Sequence, residues 1–361
     1  MKIAIFHNYM DQIGGAEKLV LMLAQKLKAH VITTNINRKQ IVKFGFGDVT
    51  IKSIGKVAKS WPKREKETIK LFKKINLSDK YDAFLISGEW ALAGAKKNQP
   101  NAWYIHSLPK YIWNYYYENL NEKKTLREKL KFKFYAFKFK KFIKKYSLFS
   151  KIIIANSNHT QRSLIKRIRK DSILIYPPVN NKNCFFKKYG DFWLSVNRIT
   201  KHKRIKLQLK TFKLLPNQKL KIVGTPENKK RTIQAFQDLK KQTPSNVEFL
   251  EDVSDKKLEN LYANCLGFIT TSQDEDFGLT PIEAMACGKP VVAVNEGGYK
   301  ETINKTVGIL TKPKDYKLAE AVKIVSQNPE KFKNNCIKRA KKYSLENFHQ
   351  KIKKVLKGIS L

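Results

Sequence analysis

Short β-type runs alternate with helical stretches along almost the whole chain, and this alternation limits the possible folds more than any other feature. Strands that alternate with helices of about ten or more residues predict parallel sheets with helices on both faces. The predicted strands are residues 3–6, 31–34, 81–87, 102–106, 151–156, 173–176, 192–196, 220–223, 247–250, 267–271, 290–294 and 308–310.

The strands form two series, which are separated near residues 176–179. The proline pair Pro177-Pro178 and the polar stretch 180–183 predict a hinge at this point. A chain of 361 residues also exceeds the length at which a single core stops growing. We therefore predict an α/β fold with two doubly wound parallel-sheet domains. Because ligands of such sheets collect at the carboxyl ends of the strands, two facing domains would form an interdomain cleft.

The chain is strongly basic. Its 73 lysines and arginines stand against 30 aspartates and glutamates, which gives a formal net charge of +43. This excess predicts attraction to an anionic partner, such as nucleic acid, acidic lipid or a phosphorylated substrate, although a general preference for lysine can account for part of it. The four cysteines show neither a C-x-x-C nor a metal-site spacing, which indicates buried thiols in a reducing compartment.

The sequence contains no apolar run that approaches the ~18 residues of a membrane span. Its first residues, 1–6, are typical of a strand and are too short for the apolar region of a signal peptide. We therefore expect a cytoplasmic protein, with a peripheral position on the cytosolic face of a membrane as an option.

Residues 123–151 combine dense basic charge with aromatic residues three and four positions apart, a spacing that places six aromatic side chains on one helical face. One interpretation is a core-facing helix with a solvated lysine face. Another is a helix that lies on an anionic membrane, with its aromatic residues at the headgroups. Nucleic-acid binding is the weakest interpretation, because no known nucleic-acid motif accompanies the charge. The six aromatic residues are Phe132, Tyr135, Phe139, Phe142, Tyr146 and Phe149.

The stretch 274–292 carries the most specific chemistry. Glu275 and Glu283 flank a glycine turn that opens a short helix, and a further strand follows. Open backbone N–H groups in the turn, together with the helix N-terminus, predict an anion site. These N–H groups belong to Phe277, Gly278 and Leu279. Carboxylates and amide donors at one sheet edge suit a ligand that carries both hydroxyls and phosphates.

Two other interpretations of this stretch are open. Thr280 as N-cap, Pro281 at the first helical position and Glu283 at the third form the pattern of a capping box, in which Glu283 would cap its own helix. Alternatively, Asp274 and Asp276 are two residues apart and could chelate Mg²⁺. Because the glycine turn and the helix supply phosphate donors without a metal, we expect no metal here.

A second group of candidates follows the predicted strand 192–196. Arg198 lies at the end of this strand, and Lys203 comes five residues later. Cations just past a strand end, in the same domain as the anion turn, can neutralise the charge that grows on a departing diphosphate. In a chain with 73 basic residues this pair would be unremarkable by its spacing alone.

Two candidates lie in the first half of the chain. Gly14 and Gly15 connect the first strand to a helix, and they serve either close packing of the strand on the helix or a close approach of the backbone to a ligand. His106 ends the predicted strand 102–106. Most isolated histidines are structural, so its position at a strand end is what makes it a candidate.

Together these motifs resemble the donor-site signature of glycosyltransferase family 4, the retaining enzymes of the GT-B fold with two Rossmann-like domains. The resemblance rests on Glu275 and Glu283 with Phe-Gly-Leu, Glu-Ala-Met-Ala-Cys-Gly and Pro-Val-Val in register, and it spans essentially the whole chain. It implies an acceptor-binding domain at 1–179, a nucleotide-sugar donor domain at 180–340, and a C-terminal helix within 341–361 that packs back on the first domain.

The resemblance also implies roles for single residues. Glu275 would contact the sugar hydroxyls and Glu283 the nucleotide ribose, while Arg198 and Lys203 would hold the diphosphate. His106 would lie near the donor sugar. The other residues implied in donor binding are Gly14, Gly15, Gly224, Phe277, Gly278, Leu279 and Thr280.

The implied reaction transfers a sugar, with retention, from a nucleotide donor to a hydroxyl of a glycan or lipid-linked glycan, without a metal or other cofactor. The run Arg-Ile-x-Lys-x-Lys-Arg-Ile, which begins at Arg198, resembles the mannosyltransferase-like branch and favours mannose from GDP-mannose. Asp276 stands where many relatives have glycine, so the identity of the sugar stays open.

Two alternatives of other classes remain. The first is a non-catalytic basic protein that binds anionic lipid or nucleic acid on a glycosyltransferase scaffold. The presence of Arg198, Lys203, Glu275 and Glu283 argues against it, and we expect no specific nucleic-acid partner. The second is a sugar phosphorylase of the same fold, which would need a pyridoxal-phosphate lysine that no sequence context indicates.

Overall fold

The computed structural model describes residues 1–179, 184–226 and 230–360. The chain divides into two compact units. The first consists of Met1–Pro177 and Glu346–Leu361, and the second of Pro178–Leu345.

In the described residues, the first unit is built on a seven-stranded sheet in which every neighbouring pair is parallel. Its strands are β1 (Ile3–His7), β2 (His30–Thr33), β3 (Ile51–Ser53), β4 (Ala83–Ser87), β5 (Asn101–Ile105), β6 (Ile152–Ala155) and β7 (Ile173–Leu174). The order β3-β2-β1-β4-β5-β6-β7 shows that the chain starts at the centre and winds outwards first to one edge and then to the other. This is the doubly wound arrangement that places ligands at the carboxyl edge.

Helices cover both faces of this sheet, and every residue of β1, β4 and β5 is buried. Strands that are buried on both faces have mainly apolar sequences, and these three strands follow that pattern. The helices of the first unit are α1 (Gly15–Leu27), α2 (Arg38–Lys43), α3 (Lys63–Lys74), α4 (Tyr116–Asn121), α5 (Leu126–Ser147), α6 (Asn158–Ile168) and the last helix of the chain, α14 (Leu345–Ser360).

Over its described residues the second unit contains a six-stranded parallel sheet with the order β10-β9-β8-β11-β12-β13. Its strands are β8 (Phe192–Val196), β9 (Lys219–Val223), β10 (Val247–Leu250), β11 (Gly267–Thr270), β12 (Val291–Val294) and β13 (Gly308–Thr311). Its helices are α7 (Ile205–Lys213), α8 (Lys230–Lys241), α9 (Asp255–Asn264), α10 (Leu279–Ala286), α11 (Tyr299–Thr302), α12 (Asp315–Gln327) and α13 (Lys333–Lys341). The two parallel sheets confirm the expected α/β fold.

The last helix, α14, completes the core of the first unit. One face of it is buried through Phe348, Ile352, Leu356 and Ile359. The Phe348 ring meets Tyr104 of β5 edge to face, with ring centroids 5.6 Å apart. At the end of the helix, the Lys151 Nζ atom donates to the carbonyl oxygen of Ile359 over 3.1 Å. Contacts from both ends of the helix therefore fix it against β5 and the start of β6.

Helix α5 places the predicted aromatic stripe against the core of the first unit. Phe139 is buried, and Tyr135, Phe142, Tyr146 and Phe149 pack partly buried against the same core. The rings of Phe139 and Phe142 stack with centroids 5.6 Å apart. The core-facing interpretation is therefore right for these five residues, which pack in the core and not at lipid headgroups.

Within the described residues, the structure contains the twelve strands predicted from the sequence and adds β3. This edge strand has three residues, none of them buried, so it lacks the apolar run that marks the others. Among the described helices, none combines the length and apolar character needed to cross a membrane.

Candidate functional site

Loops that follow four neighbouring strands meet at the carboxyl edge of the second sheet. Two of their hydrogen bonds tie together the loops after β8, β11 and β12. The Thr271 hydroxyl donates to the carbonyl oxygen of Lys203 over 2.8 Å, and the Gly298 N–H donates to the carbonyl oxygen of Glu275 over 2.7 Å. The loops that carry the predicted donor-site residues therefore form one connected surface.

Lys203 and Glu275 are in direct contact at this edge. The Lys203 Nζ atom donates to Glu275 Oε2 over 2.6 Å, and each side chain keeps 23% of its surface exposed. The structure thus brings together two candidates that are 72 residues apart in the sequence. A partly exposed ammonium can bind phosphate oxygens, and a carboxylate beside it can accept hydrogen bonds from sugar hydroxyls.

A second ion pair lies next to the first and was not predicted from the sequence. Arg204 Nη1 is 2.9 Å from Glu296 Oε2, and both side chains are partly buried. Arg204 directly follows Lys203, and Glu296 directly precedes the glycine pair Gly297-Gly298. The position of Arg204 directly after the candidate Lys203 was the available sequence signal.

Arg198 lies two residues beyond β8, on a turn where its own side chain is exposed and those of Asn197 and Ile199 are buried. Backbone bonds fix the turn on both sides, because Asn197 N donates to Val223 O and Ile199 N donates to Thr225 O, each over 3.0 Å. The turn therefore lies against the loop that contains Gly224, with the Arg198 side chain directed to solvent.

Gly224 is required by this close approach. A Cβ atom at Gly224 would lie 1.8 Å from the carbonyl oxygen of Asn197, which no side chain can tolerate. The same is true of Gly297, which has a φ of +54° and where a Cβ atom would lie 2.3 Å from the carbonyl oxygen of Glu275. Glycines at these two positions let neighbouring loops pack backbone against backbone.

Helix α10 begins earlier than the sequence pattern predicts. Gly278, with a φ of +87°, is its N-cap and Leu279 its first residue, so Thr280 is inside the helix and the predicted capping box is wrong. Glycine takes this left-handed conformation without strain, which lets the chain turn into the helix two residues before Thr280. In a helix that begins at Leu279, Glu283 is the fifth residue and lies beyond the capping position, and its Oε2 atom accepts a hydrogen bond of 2.8 Å from the Tyr262 hydroxyl.

The side chain of Phe277, a predicted donor-site residue, serves packing. It is 3% exposed, and its ring meets Tyr343 with centroids 5.3 Å apart. The Phe277 side chain therefore belongs to the core of the second unit and not to a ligand-binding surface.

The first unit contains a separate polar cavity of about 180 Å³ at the carboxyl edge of its own sheet. His7, Glu17, Glu89 and His106 line it together with Gly88. The cavity thus contains His106, which was predicted, and three side chains that sequence reasoning did not assign to the site.

A chain of hydrogen bonds connects the glycine turn to His106. The Gly14 N–H donates to Glu17 Oε2 over 2.9 Å, and Glu17 Oε1 lies 3.0 Å from His7 Nε2. The other ring nitrogen of His7 contacts the carbonyl oxygen of Ser87, whose hydroxyl oxygen lies 2.8 Å from His106 Nε2. Gly14 and His106 thus belong to one network through side chains from three strand ends.

Electrostatics set the protonation of this network. Burial, with a contribution from His7, lowers the pKa of His106 to about 4, so its imidazole is neutral at pH 7. Burial alone would raise the pKa of Glu17, but the hydrogen bond and charge interaction with His7, together with hydrogen bonds from backbone N–H groups, outweigh burial and hold this pKa below the usual value. By contrast, burial raises the pKa of Glu89. Two carboxyls in one cavity therefore differ in how readily they hold a proton.

In the described ranges, no group of three or more histidine, cysteine, aspartate or glutamate side chains is arranged to hold a metal ion. The absence of a metal requirement stays a prediction, since its test is in solution.

The comparisons with known proteins concern the second unit most directly. Residues 181–343 match the family model described as glycosyl transferases group 1. The alpha-1,3/1,6-mannosyltransferase ALG2 of Candida glabrata is 27% identical over 274 residues, with coverage of 58% of this chain and 60% of the relative. The O-antigen chain mannosyltransferase RfbU of Salmonella typhimurium is 27% identical over 210 residues, with coverage of 56% and 58%. The matched part therefore spans about 60% of the length of these curated relatives.

Solved structures resemble the chain over nearly its whole length. Anabaena HepE in complex with UDP-glucose has a TM-score of 0.74 at 19% identity, with coverage of 99% of this chain and 100% of that chain. Sucrose-phosphate synthase of Thermosynechococcus elongatus has a TM-score of 0.77 at 16% identity, with coverage of 99% and 98%. At this identity the likeness concerns the fold, and it confirms the GT-B fold expected from the sequence.

Proposed function

We propose that this chain is a glycosyltransferase that moves a mannosyl group from a nucleotide donor to a hydroxyl of a glycan. The proposal is supported by the GT-B fold, by the match of residues 181–343 to glycosyl transferases group 1, and by the mannosyltransferases among the relatives. The observation that carries the proposal is the contact of Lys203 with Glu275 at the carboxyl edge of the second sheet. This contact joins a phosphate-binding cation to a hydroxyl-binding carboxylate at the position where such sheets bind ligands.

In this proposal the Lys203 ammonium binds the donor diphosphate and neutralises the charge that grows as the glycosidic bond breaks. The exposed Arg198 side chain supplies a second positive charge. Glu275 accepts hydrogen bonds from the sugar hydroxyls. Glu283 binds the nucleotide ribose, and the Tyr262 hydroxyl holds its carboxylate in place.

The backbone supplies the remaining contacts of the donor site. The turn from Phe277 to Thr280 and the N-terminus of α10 direct N–H groups and a positive helix dipole at an anion. Gly224 shapes the pocket for the nucleotide base. No metal is needed in this scheme, because cationic side chains and amides carry the whole phosphate charge.

The first unit supplies the acceptor side. Neutral His106 can donate or accept a hydrogen bond at a sugar hydroxyl, and Ser87 fixes the orientation of its ring. Gly14, which is linked to the cavity through its hydrogen bond to Glu17, and Gly15 let the backbone approach the donor. We propose front-face attack with retention, in which the departing phosphate helps to deprotonate the acceptor hydroxyl, and an acceptor that is a glycan or lipid-linked glycan. If the acceptor is a lipid-linked glycan, the protein takes a peripheral position on the cytosolic face of a membrane.

The test is thermal unfolding in the presence of a panel of nucleotides and nucleotide sugars, with GDP-mannose and UDP-glucose included, each with and without EDTA. A donor at 100 times its dissociation constant adds about 2.7 kcal/mol to the free energy of unfolding, so the true donor raises Tm clearly. A shift with GDP-mannose that survives EDTA supports the proposed donor and the metal-free site. Transfer is then assayed with the donor so identified, and NMR of the product gives the anomeric configuration.

A shift with RNA or acidic lipid, and with no nucleotide sugar, overturns the proposal in favour of a non-catalytic basic binding protein. A donor shift that disappears with EDTA retains the transferase but rejects the metal-free site.

A further inference from the structure

Helix α5 has a second apolar face, opposite the one that packs in the core. Leu126, Leu130, Phe134 and Phe137, here called the outer stripe, recur at intervals of four, four and three residues and so share one side of the helix. All four are more than half exposed, Phe134 at 60% and Phe137 at 65%. The helix therefore exposes large side chains that the fold itself does not use.

Basic side chains surround the outer stripe. The sequence of α5 holds nine lysines and arginines and one acidic residue, Glu128. Exposed Lys133 and Lys141 lie four residues before and after Phe137, and exposed Lys144 lies seven after it, so all three share its side of the helix. The Lys138 Nζ atom is 4.2 Å from the centroid of the Phe134 ring. Apolar surface and positive charge thus occur at the same place.

This combination decides between the possible partners. Contiguous exposed apolar side chains mark an interaction surface. A second copy of this chain, with a net charge of +43, would bring more positive charge to a surface that is already basic. Nucleic acid would match the charge but has no apolar layer to receive leucines. Only an anionic membrane offers phosphates beside hydrocarbon.

We propose that the outer stripe of α5 binds the surface of an anionic membrane. Phe134 and Phe137 enter the region between headgroups and acyl chains, with Leu126 and Leu130 beside them, and Lys133, Lys141 and Lys144 bind lipid phosphates. The buried aromatic residues on the other face of α5 hold the helix on the first unit, so the membrane contact is made by a rigid part of the fold.

The first test is sedimentation of the full chain with vesicles of phosphatidylcholine alone and of phosphatidylcholine with phosphatidylglycerol. We expect binding to the anionic vesicles only. The double variant Phe134→Ser/Phe137→Ser should lose on the order of tenfold or more of this binding, because two aromatic rings no longer leave water. The matched control Tyr316→Ser/Ile324→Ser removes two exposed apolar side chains from α12 and should bind as the wild type does.

The second test separates local charge from total charge. Lys133→Gln/Lys141→Gln/Lys144→Gln should weaken binding to anionic vesicles roughly a hundredfold, because each lysine near the surface contributes independently. Lys338→Gln/Lys341→Gln/Lys342→Gln removes the same charge from exposed positions of the second unit and should have a small effect.

Equal binding to neutral and anionic vesicles would overturn the proposal, as would equal losses in the two lysine variants. A Phe134→Ser/Phe137→Ser protein that binds vesicles normally but changes its oligomeric state in light scattering would assign the stripe to contact between copies instead. Binding of RNA in competition with vesicles, with loss in the lysine variant and none in the phenylalanine variant, would assign it to nucleic acid.

These outcomes are independent of the proposed transferase activity. Vesicle sedimentation needs no donor, and the donor-induced Tm shift of all four variants is expected to equal that of the wild type. Loss of vesicle binding with an intact donor shift therefore concerns the outer stripe alone, and the reverse result concerns the donor site alone.

Discussion

At the scale of single residues, the Lys203–Glu275 pair is better explained by ligand binding than by stability. Each side chain keeps about a quarter of its surface in water, and exposed or partly exposed ion pairs contribute little to stability. The same geometry is well suited to binding a nucleotide sugar, since the ammonium can bind diphosphate oxygens and the carboxylate can accept hydrogen bonds from sugar hydroxyls.

Replacing Lys203 tests its role. We expect Lys203→Ala to lower kcat roughly 100-fold, because the departing diphosphate loses its positive partner. This corresponds to a loss of about 3 kcal/mol of transition-state stabilisation. Steady-state transfer kinetics with the donor found by thermal shift give the measurement. The control is Lys206→Ala, which removes an exposed lysine nearby on α7 and should leave kcat unchanged. Near-wild-type turnover in folded Lys203→Ala protein would contradict the assignment.

His106 makes the stability of the first unit depend on pH. Its pKa is lowered to about 4 in the fold but lies near 6.5 in an unfolded chain, so the unfolded state binds more protons between these values. The stability that this histidine contributes is complete above about pH 6.5 and is lost as the pH falls towards 4. The difference between the urea midpoints of unfolding at about pH 7 and about pH 5 should therefore be smaller in His106→Gln than in the wild type.

A control keeps this comparison specific. His159→Gln changes a histidine of α6 outside the cavity and should retain the wild-type dependence on pH. An unchanged pH dependence in His106→Gln would show that His106 is not held neutral by the fold.

At the scale of elements, close packing of loops fixes the site. Gly224→Ala should destabilise the second unit by about 2–4 kcal/mol and weaken donor binding, because the added Cβ atom would force the turn of Arg198 away from the loop after β9. Differential scanning calorimetry and the donor-induced Tm shift measure both effects.

Gly358→Ala is the matched substitution in α14. A Cβ atom there meets nothing within 4 Å, so the change should raise the stability by roughly 0.5–1 kcal/mol. A Gly224→Ala protein as stable as Gly358→Ala would mean that the two loops are not held together as described.

The elements also show how far sequence patterns can be used. The central strands of both sheets, such as β1 and β12, were predictable because strands buried on two faces form apolar runs, whereas the exposed edge strand β3 was not. The start of α10 was not, because a capping box at Thr280 and a glycine cap at Gly278 are both compatible with the sequence and only the backbone at Gly278 selects one. For α5, spacing identified the core-facing stripe correctly, but the outer stripe is only evident from exposure.

At the scale of the whole molecule, the last helix of the chain belongs to the first unit. Ile352 is fully buried, so Ile352→Ala should cost about 2–5 kcal/mol. Hydrogen exchange should accelerate in β5 and β6 of the first unit and stay unchanged in β8 and β11 of the second. Lys353→Ala, at an exposed neighbouring position, is the control. Faster exchange in the second unit alone would contradict this division.

The candidate site was predictable in composition and only partly in geometry. Lys203 and Glu275 follow β8 and β11, which are neighbours in the sheet, so strand order explains a contact that sequence separation conceals. The network from Glu17 through His7 and Ser87 to His106 was not predictable. It depends on three strand ends meeting and on ring orientations that carry no sequence motif.

The Lys203–Glu275 contact also has a consequence for turnover. A ligand phosphate that binds the Lys203 ammonium weakens its contact with Glu275, and a sugar hydroxyl that donates a hydrogen bond to Glu275 offsets this loss. In the proposed scheme a nucleotide sugar supplies both the phosphate and the sugar hydroxyl, whereas the nucleoside diphosphate that remains after transfer no longer carries the transferred sugar. Under that proposal Glu275 competes with the spent nucleotide for Lys203, so the two residues assigned to the donor would also promote release of the product.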